Sequence, residues 1–207
     1  MSTKSPTRLM EKNVVWVPTN EEEALCHLMG LTAPTVRAAE VAHGLLKKFG
    51  DATSVIRASF EELRTVRGVC NDIAYTLKSV HSIHLGLLWR QLQQSTLPGC
   101  IPLISNWCRE HLCSEEADVF MAVCYSHRDF CGVTPYTVGM KGHVKIYARE
   151  IIKFALRQNA TAIVVVLARK HGTSIMTEDE QIDVSKLREA ANALGIEISE
   201  VIVITSF

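Results

Sequence analysis

The chain has 207 residues, 47 % of them hydrophobic and 21 % charged, and its 22 basic residues balance 22 acidic ones. This is the composition of a soluble globular protein with room for one large domain or two small ones. It excludes a strongly basic nucleic-acid binder: 11 basic and 9 acidic residues precede Gly99 and 11 and 13 follow it, so any contact with DNA has to be local.

The first twelve residues are polar, lack an apolar signal core and read as a disordered leader. No run approaches the roughly eighteen apolar residues that span a bilayer, so no membrane association is expected. Seven cysteines (Cys26, Cys70, Cys100, Cys108, Cys113, Cys124 and Cys131) follow no secretory signal. Reduced thiols and a cytoplasmic location are therefore expected.

After a short apolar patch at Val14–Val17, Thr19 or Asn20 caps a helix whose first turn holds Glu21, Glu22 and Glu23, and which stops at Gly30. Pro34 sits near the start of the next helix, whose apolar face is Val36, Ala39, Val41, Ala42, Leu45 and Leu46 and whose end is Gly50. A short piece begins at Ser54. Ser59-Phe60-Glu61-Glu62 is a capping box, and after the stretch Val66–Ala74 a helix runs to about Trp89. Ser95–Gly99, with Pro and Gly together, is the best linker.

Past it, Ile101–Leu112 reads as helix, Val119–Tyr125 as strand, Asp129 as turn and Gly132–Val138 as the partner strand. Helix Tyr147–Gln158, strand Thr161–Ala168, helix Glu178–Leu194 and strand Glu197–Thr205 close the chain. The last two strands carry short β-branched runs, Ala162–Leu167 and Val201–Ile204. The loop Arg169–Met176 joins strand to helix, where a site is expected.

Tyr147-Ala148-Arg149-Glu150-Ile151, Ala155-Leu156, Asn159-Ala160, Ala162-Ile163, Leu187-Arg188-Glu189-Ala190 and Leu194-Gly195-Ile196 together resemble the carboxy-terminal half of the RadC family, which has a JAB/MPN (JAMM) metallopeptidase fold. Gly68, Val69 and Ala74 resemble its amino-terminal helix-hairpin-helix, and Gly139 falls on a glycine of its second strand. The resemblance implies an α/β chain: a disordered leader (1–12), a small helical domain (13–96) and a JAB/MPN mixed-sheet domain (100–207).

It also implies what the site should contain. A JAMM centre uses His-x-His, an acidic residue eleven positions after the second His, and an upstream glutamate as base. Here the two His positions hold Leu167 and Arg169, the acidic position Glu180, and the glutamate falls near Thr134-Pro135. Thr177 matches the family's serine. The expectation is a JAMM fold without zinc or other cofactor: a pseudoenzyme of zinc-metallopeptidase ancestry.

Glu180 also has a plain reading, since Thr177-Glu178-Asp179-Glu180 is a capping box. In the hairpin, Cys70 replaces the second glycine, weakening close phosphate approach; the hairpin reads first as a device for packing helices, with Arg67, Gly68, Asn71 and Lys78 as weak phosphate contacts in the alternative. Arg149, Lys153 and Arg157 share a helix face and, with Arg169 and Lys170, form a basic rim or an ordinary solvated face. Cys108-x2-His111-x-Cys113 and Cys124-x2-His127-x3-Cys131 match no zinc-finger spacing and read as ordinary thiols. Trp16, Trp89 and Trp107 read as core or interface anchors.

The leading expectation is a scaffold or binding subunit with a protein partner or a second copy of itself, and with nucleic acid as a further contact. Two alternatives stay open. One is a metal-dependent hydrolase with relocated ligands, such as His171 with Glu180 or Asp183. The other is a DNA-binding module led by the hairpin at Arg67–Ala74.

Overall fold

A computed structural model describes residues 18–33, 37–112, 118–134, 137–138, 146–169 and 173–205. The leader, Pro34, Gly139, Lys170, His171, Cys113 and Trp16 lie outside them. Contacts divide the chain into units at Ile83/His84, each with its own core.

The first unit is helical: α1 (Glu21–Thr32), α2 (Ala38–Phe49), α3 (Ala52–Arg57), α4 (Phe60–Arg64) and the first half of α5 (Asn71–Gln93). Asn20 caps α1 by accepting from the Glu23 N–H at 2.8 Å, and Ser59 and Glu62 form the expected capping box of α4. Helix α1 does not stop at Gly30. Met29 and Ala33 are buried with Leu25 in the core, and burial of that face carries the helix two residues past a weak glycine, to Thr32. In the hairpin turn Gly68 has φ +91°, and a Cβ there would lie 2.7 Å from Val41 Cγ2. Conformation and packing both demand glycine. Cys70 is not among the residues with positive φ, so its backbone does not require the glycine it replaces.

The second unit is built on a five-stranded sheet of order β2-β1-β4-β5, with β3 also paired to β1. The strands are β1 (Val119–Ser126), β2 (Asp129–Val133), β3 (Thr137–Val138), β4 (Ala162–Arg169) and β5 (Glu197–Thr205). β1 is antiparallel to β2, β3 and β4, whereas β4 and β5 are parallel and joined through α8 (Glu178–Asn192). Strand alternation sends Met121, Val123, Val164 and Val166 into one core with Ile104 and Cys108 of α6 (Ile101–His111). Phe120, Cys124, Val165 and Leu167 enter the other core, with α7 (Ala148–Arg157) and α8. Burial on both faces explains why β1 and β4 read as unbroken apolar runs.

Residues 95–99 are not a linker. Ser95 is buried, with Oγ 2.6 Å from the Leu92 carbonyl and 3.2 Å from the Tyr125 hydroxyl. Leu97 N–H donates to the Arg128 carbonyl at 3.0 Å. The division between units falls instead inside α5, where periodicity gives no break. Trp107 is buried and Trp89 half-buried, with ring centres 5.2 Å apart, as expected of core anchors.

Candidate functional site

The loop after β4 is where strand-to-helix geometry and the expected JAMM positions coincide. Leu167 and Arg169, two residues apart on β4, project to the same face of the sheet, as a His-x-His pair would. Leu167 is buried within the apolar cluster of α7 and α8. Arg169 is also buried, 5 % exposed, and its guanidinium is held on three sides. Nη1 donates to the carbonyls of Thr173 at 2.9 Å and Ile175 at 2.7 Å, and Nη2 pairs with Glu180 Oε2.

Glu180 is 1 % exposed at the third position of α8. Its Oε2 also accepts from the Thr177 N–H at 2.8 Å, while Thr177 Oγ1 accepts from the Glu180 N–H at 3.3 Å. The expected capping box is present, and a buried ion pair is built onto it. Among the described residues Glu180 Oε1 has no hydrogen-bond partner. Taking both charges out of water is costly, so the pair is held by its complementary geometry, and removing either partner strands the other.

These residues do not fit a zinc ion. Leucine has no lone pair, arginine has five N–H donors and no acceptor, and the Glu180 carboxylate already carries a cation. Near the position expected for the upstream glutamate, Thr134 lies just past β2 and is bonded to β1: its hydroxyl accepts from the Ala122 N–H at 2.8 Å and its own N–H donates to the Ala122 carbonyl at 2.9 Å. Among the described residues no three His, Cys, Asp or Glu side chains are grouped to hold a metal.

The other expected residues are dispersed. Arg149, Lys153 and Arg157 are exposed on α7, with Lys153 3.9 Å from Glu150. Arg169 does not join them in a basic rim, because the Glu180 charge draws it inward; Lys170 lies outside the described residues. In the hairpin Arg67, Gly68 and Asn71 are exposed. Lys78 is not presented for phosphate: its ammonium donates to the carbonyls of Ile56, Arg57 and Ala58 at 3.3, 3.3 and 3.0 Å, closing the carboxy-terminal end of α3. Cys108 and Cys124 belong to the two different cores of the sheet. Burial pushes each thiol up to about 12, which suits inert core residues.

The sequence reading missed the Arg169–Glu180 pair. Its signal was available: one arginine ends an otherwise apolar strand, eleven residues before a glutamate that a capping box orients.

The mixed sheet and its flanking helices belong to a JAB-type domain. The model of the RadC-like JAB domain matches residues 102–207, and the chain belongs to that family. Its relatives include UPF0758 proteins of Thermotoga maritima (25 % identical over 171 residues, 80 % of this chain and 75 % of that protein) and Ruegeria pomeroyi (26 % over 166 residues, 79 % and 74 %). A UPF0758 protein of Neisseria meningitidis is 21 % identical over 188 residues, covering 90 % of this chain and 84 % of its own. Among the described residues no helix is long and apolar enough to cross a membrane.

Proposed function

We propose that this chain is a non-catalytic RadC-like protein, a scaffold or binding subunit that works in the cytoplasm through contacts with a protein partner or a second copy of itself. The observation that carries the reading is the buried Arg169–Glu180 pair beside Leu167. Two imidazoles and a carboxylate would hold a zinc and leave a position open for water. Here the carboxylate neutralises a guanidinium instead, and Leu167 contributes only to the core.

Metal analysis of the purified, reduced, tag-free chain tests this. The native protein is expected to carry no stoichiometric zinc, and Leu167→His with Arg169→His to take up about one ion per chain. About one zinc in the native protein, lost on His171→Ala, would overturn the reading in favour of a hydrolase with relocated ligands.

A second mode of binding has one observation behind it. The Gly68 turn, at φ +91°, brings exposed Arg67 and Asn71 to the start of α5, an arrangement suited to phosphate contact. A labelled duplex titrated at two salt concentrations tests it. Binding that weakens as salt rises is expected; no binding at low salt removes this mode.

A further inference from the structure

A different site lies at the opposite end of β4 from Arg169, and it does not depend on the reading above. The β1–β2 hairpin closes with Ser126 opposite Asp129, leaving a two-residue turn of His127 and Arg128. Both have positive φ, 48° and 82°. Such turns favour Asn-Gly because side chains are strained there. Arginine is a poor choice for the turn, whereas histidine tolerates it better, yet the surroundings hold both firmly. His127 N–H donates to Thr161 Oγ1 at 3.0 Å, the Arg128 carbonyl accepts from Leu97 N–H at 3.0 Å, and Thr96 bridges to Asp129. Strain maintained by its surroundings is a mark of function.

The turn borders a cavity of about 460 Å3 lined by His127, Arg128, Thr161, Glu197 and Ser199, with Leu97 and Pro98 as an apolar wall. That volume is within the range of small-ligand sites. Among the described residues neither Arg128 nor Glu197 has an ion-pair partner. His127 Nδ1 lies 3.3 Å from Ser126 Oγ, which leaves Nε2 to meet a ligand. Glu197 opposes a bare anion and Arg128 a bare cation, so the charges on the wall match a molecule that carries both.

We propose that this cavity binds a small zwitterion of the α-amino-acid type, with its carboxylate on Arg128 and His127, its ammonium on Glu197 and an apolar side chain against Leu97 and Pro98. The test is a titration of the 15N-labelled full chain with L-leucine, with acetate and methylammonium as single-charge controls. Leucine is expected to shift the amides of residues 126–129, 161 and 197 saturably, and the controls to leave them in place at the same concentration. Arg128→Gln and Glu197→Gln should each weaken leucine about tenfold or more. Replacing the turn by Asn-Gly (His127→Asn with Arg128→Gly) should abolish binding while raising Tm, which separates loss of the ligand from loss of the fold. The proposal is overturned if leucine moves none of these amides, if acetate binds as tightly as leucine, or if Arg128→Gln leaves leucine binding intact.

Discussion

Two helices of this protein start with the same motif in different surroundings. Ser59–Glu62 at α4 and Thr177–Glu180 at α8 are both complete capping boxes. At α4 the glutamate is exposed and accepts from the Ser59 N–H at 2.8 Å. At α8 the glutamate is buried and also receives the guanidinium of Arg169. A local motif thus sets where a helix begins. What the carboxylate is worth depends on what the fold brings to it, and at α8 the fold brings the guanidinium of a buried arginine.

The largest test of that difference is removal of one charge. Arg169→Ala should destabilise the second unit by about 3–5 kcal/mol, because Glu180 stays buried without its cation. Glu62→Ala at the exposed box should cost only about 0.5 kcal/mol, the low end for a capping interaction. Urea unfolding of both variants checks the contrast, and equal costs would mean that Arg169 and Glu180 do not form a buried pair. Replacing both charges together, Arg169→Met with Glu180→Leu, should recover most of the loss, since an apolar pair of similar volume avoids the desolvation penalty. Next in size is Gly68→Ala, expected to cost about 2 kcal/mol from the left-handed backbone and the contact with Val41. Thermal unfolding of the full chain measures it.

Much of the fold was legible because its signals are local. The strand Glu197–Thr205 was read to the residue, β4 was displaced by one residue at each end, and both boxes were read from four residues each. The losses came where distant packing decides. Gly30 reads as a stop, but burial of Met29 and Ala33 overrides it. Ser95–Gly99 reads as a linker, but Tyr125 and Arg128 hold it from the sheet. Lys78 reads as a phosphate contact, but three carbonyls at the carboxy-terminal end of α3 claim it. At the site, Leu167 and Glu180 were identified as positions. That Arg169 turns inward to Glu180, and not outward to Arg149 and Lys153, is signalled only by its place at the end of an apolar strand, eleven residues before a glutamate that a capping box orients.

A smaller effect than that of Gly68→Ala is the most discriminating. Thr177→Ala and Ser59→Ala each remove one side-chain acceptor from a helix start, and each should cost about 1 kcal/mol, because the hydroxyl's role is the same in both boxes. The contrast between the boxes would then lie wholly in the glutamates. If Thr177→Ala instead costs several times more than Ser59→Ala in parallel urea titrations, the hydroxyl helps hold the Glu180 carboxylate against Arg169. The box and the ion pair would then be one cooperative unit of Thr177, Glu180 and Arg169.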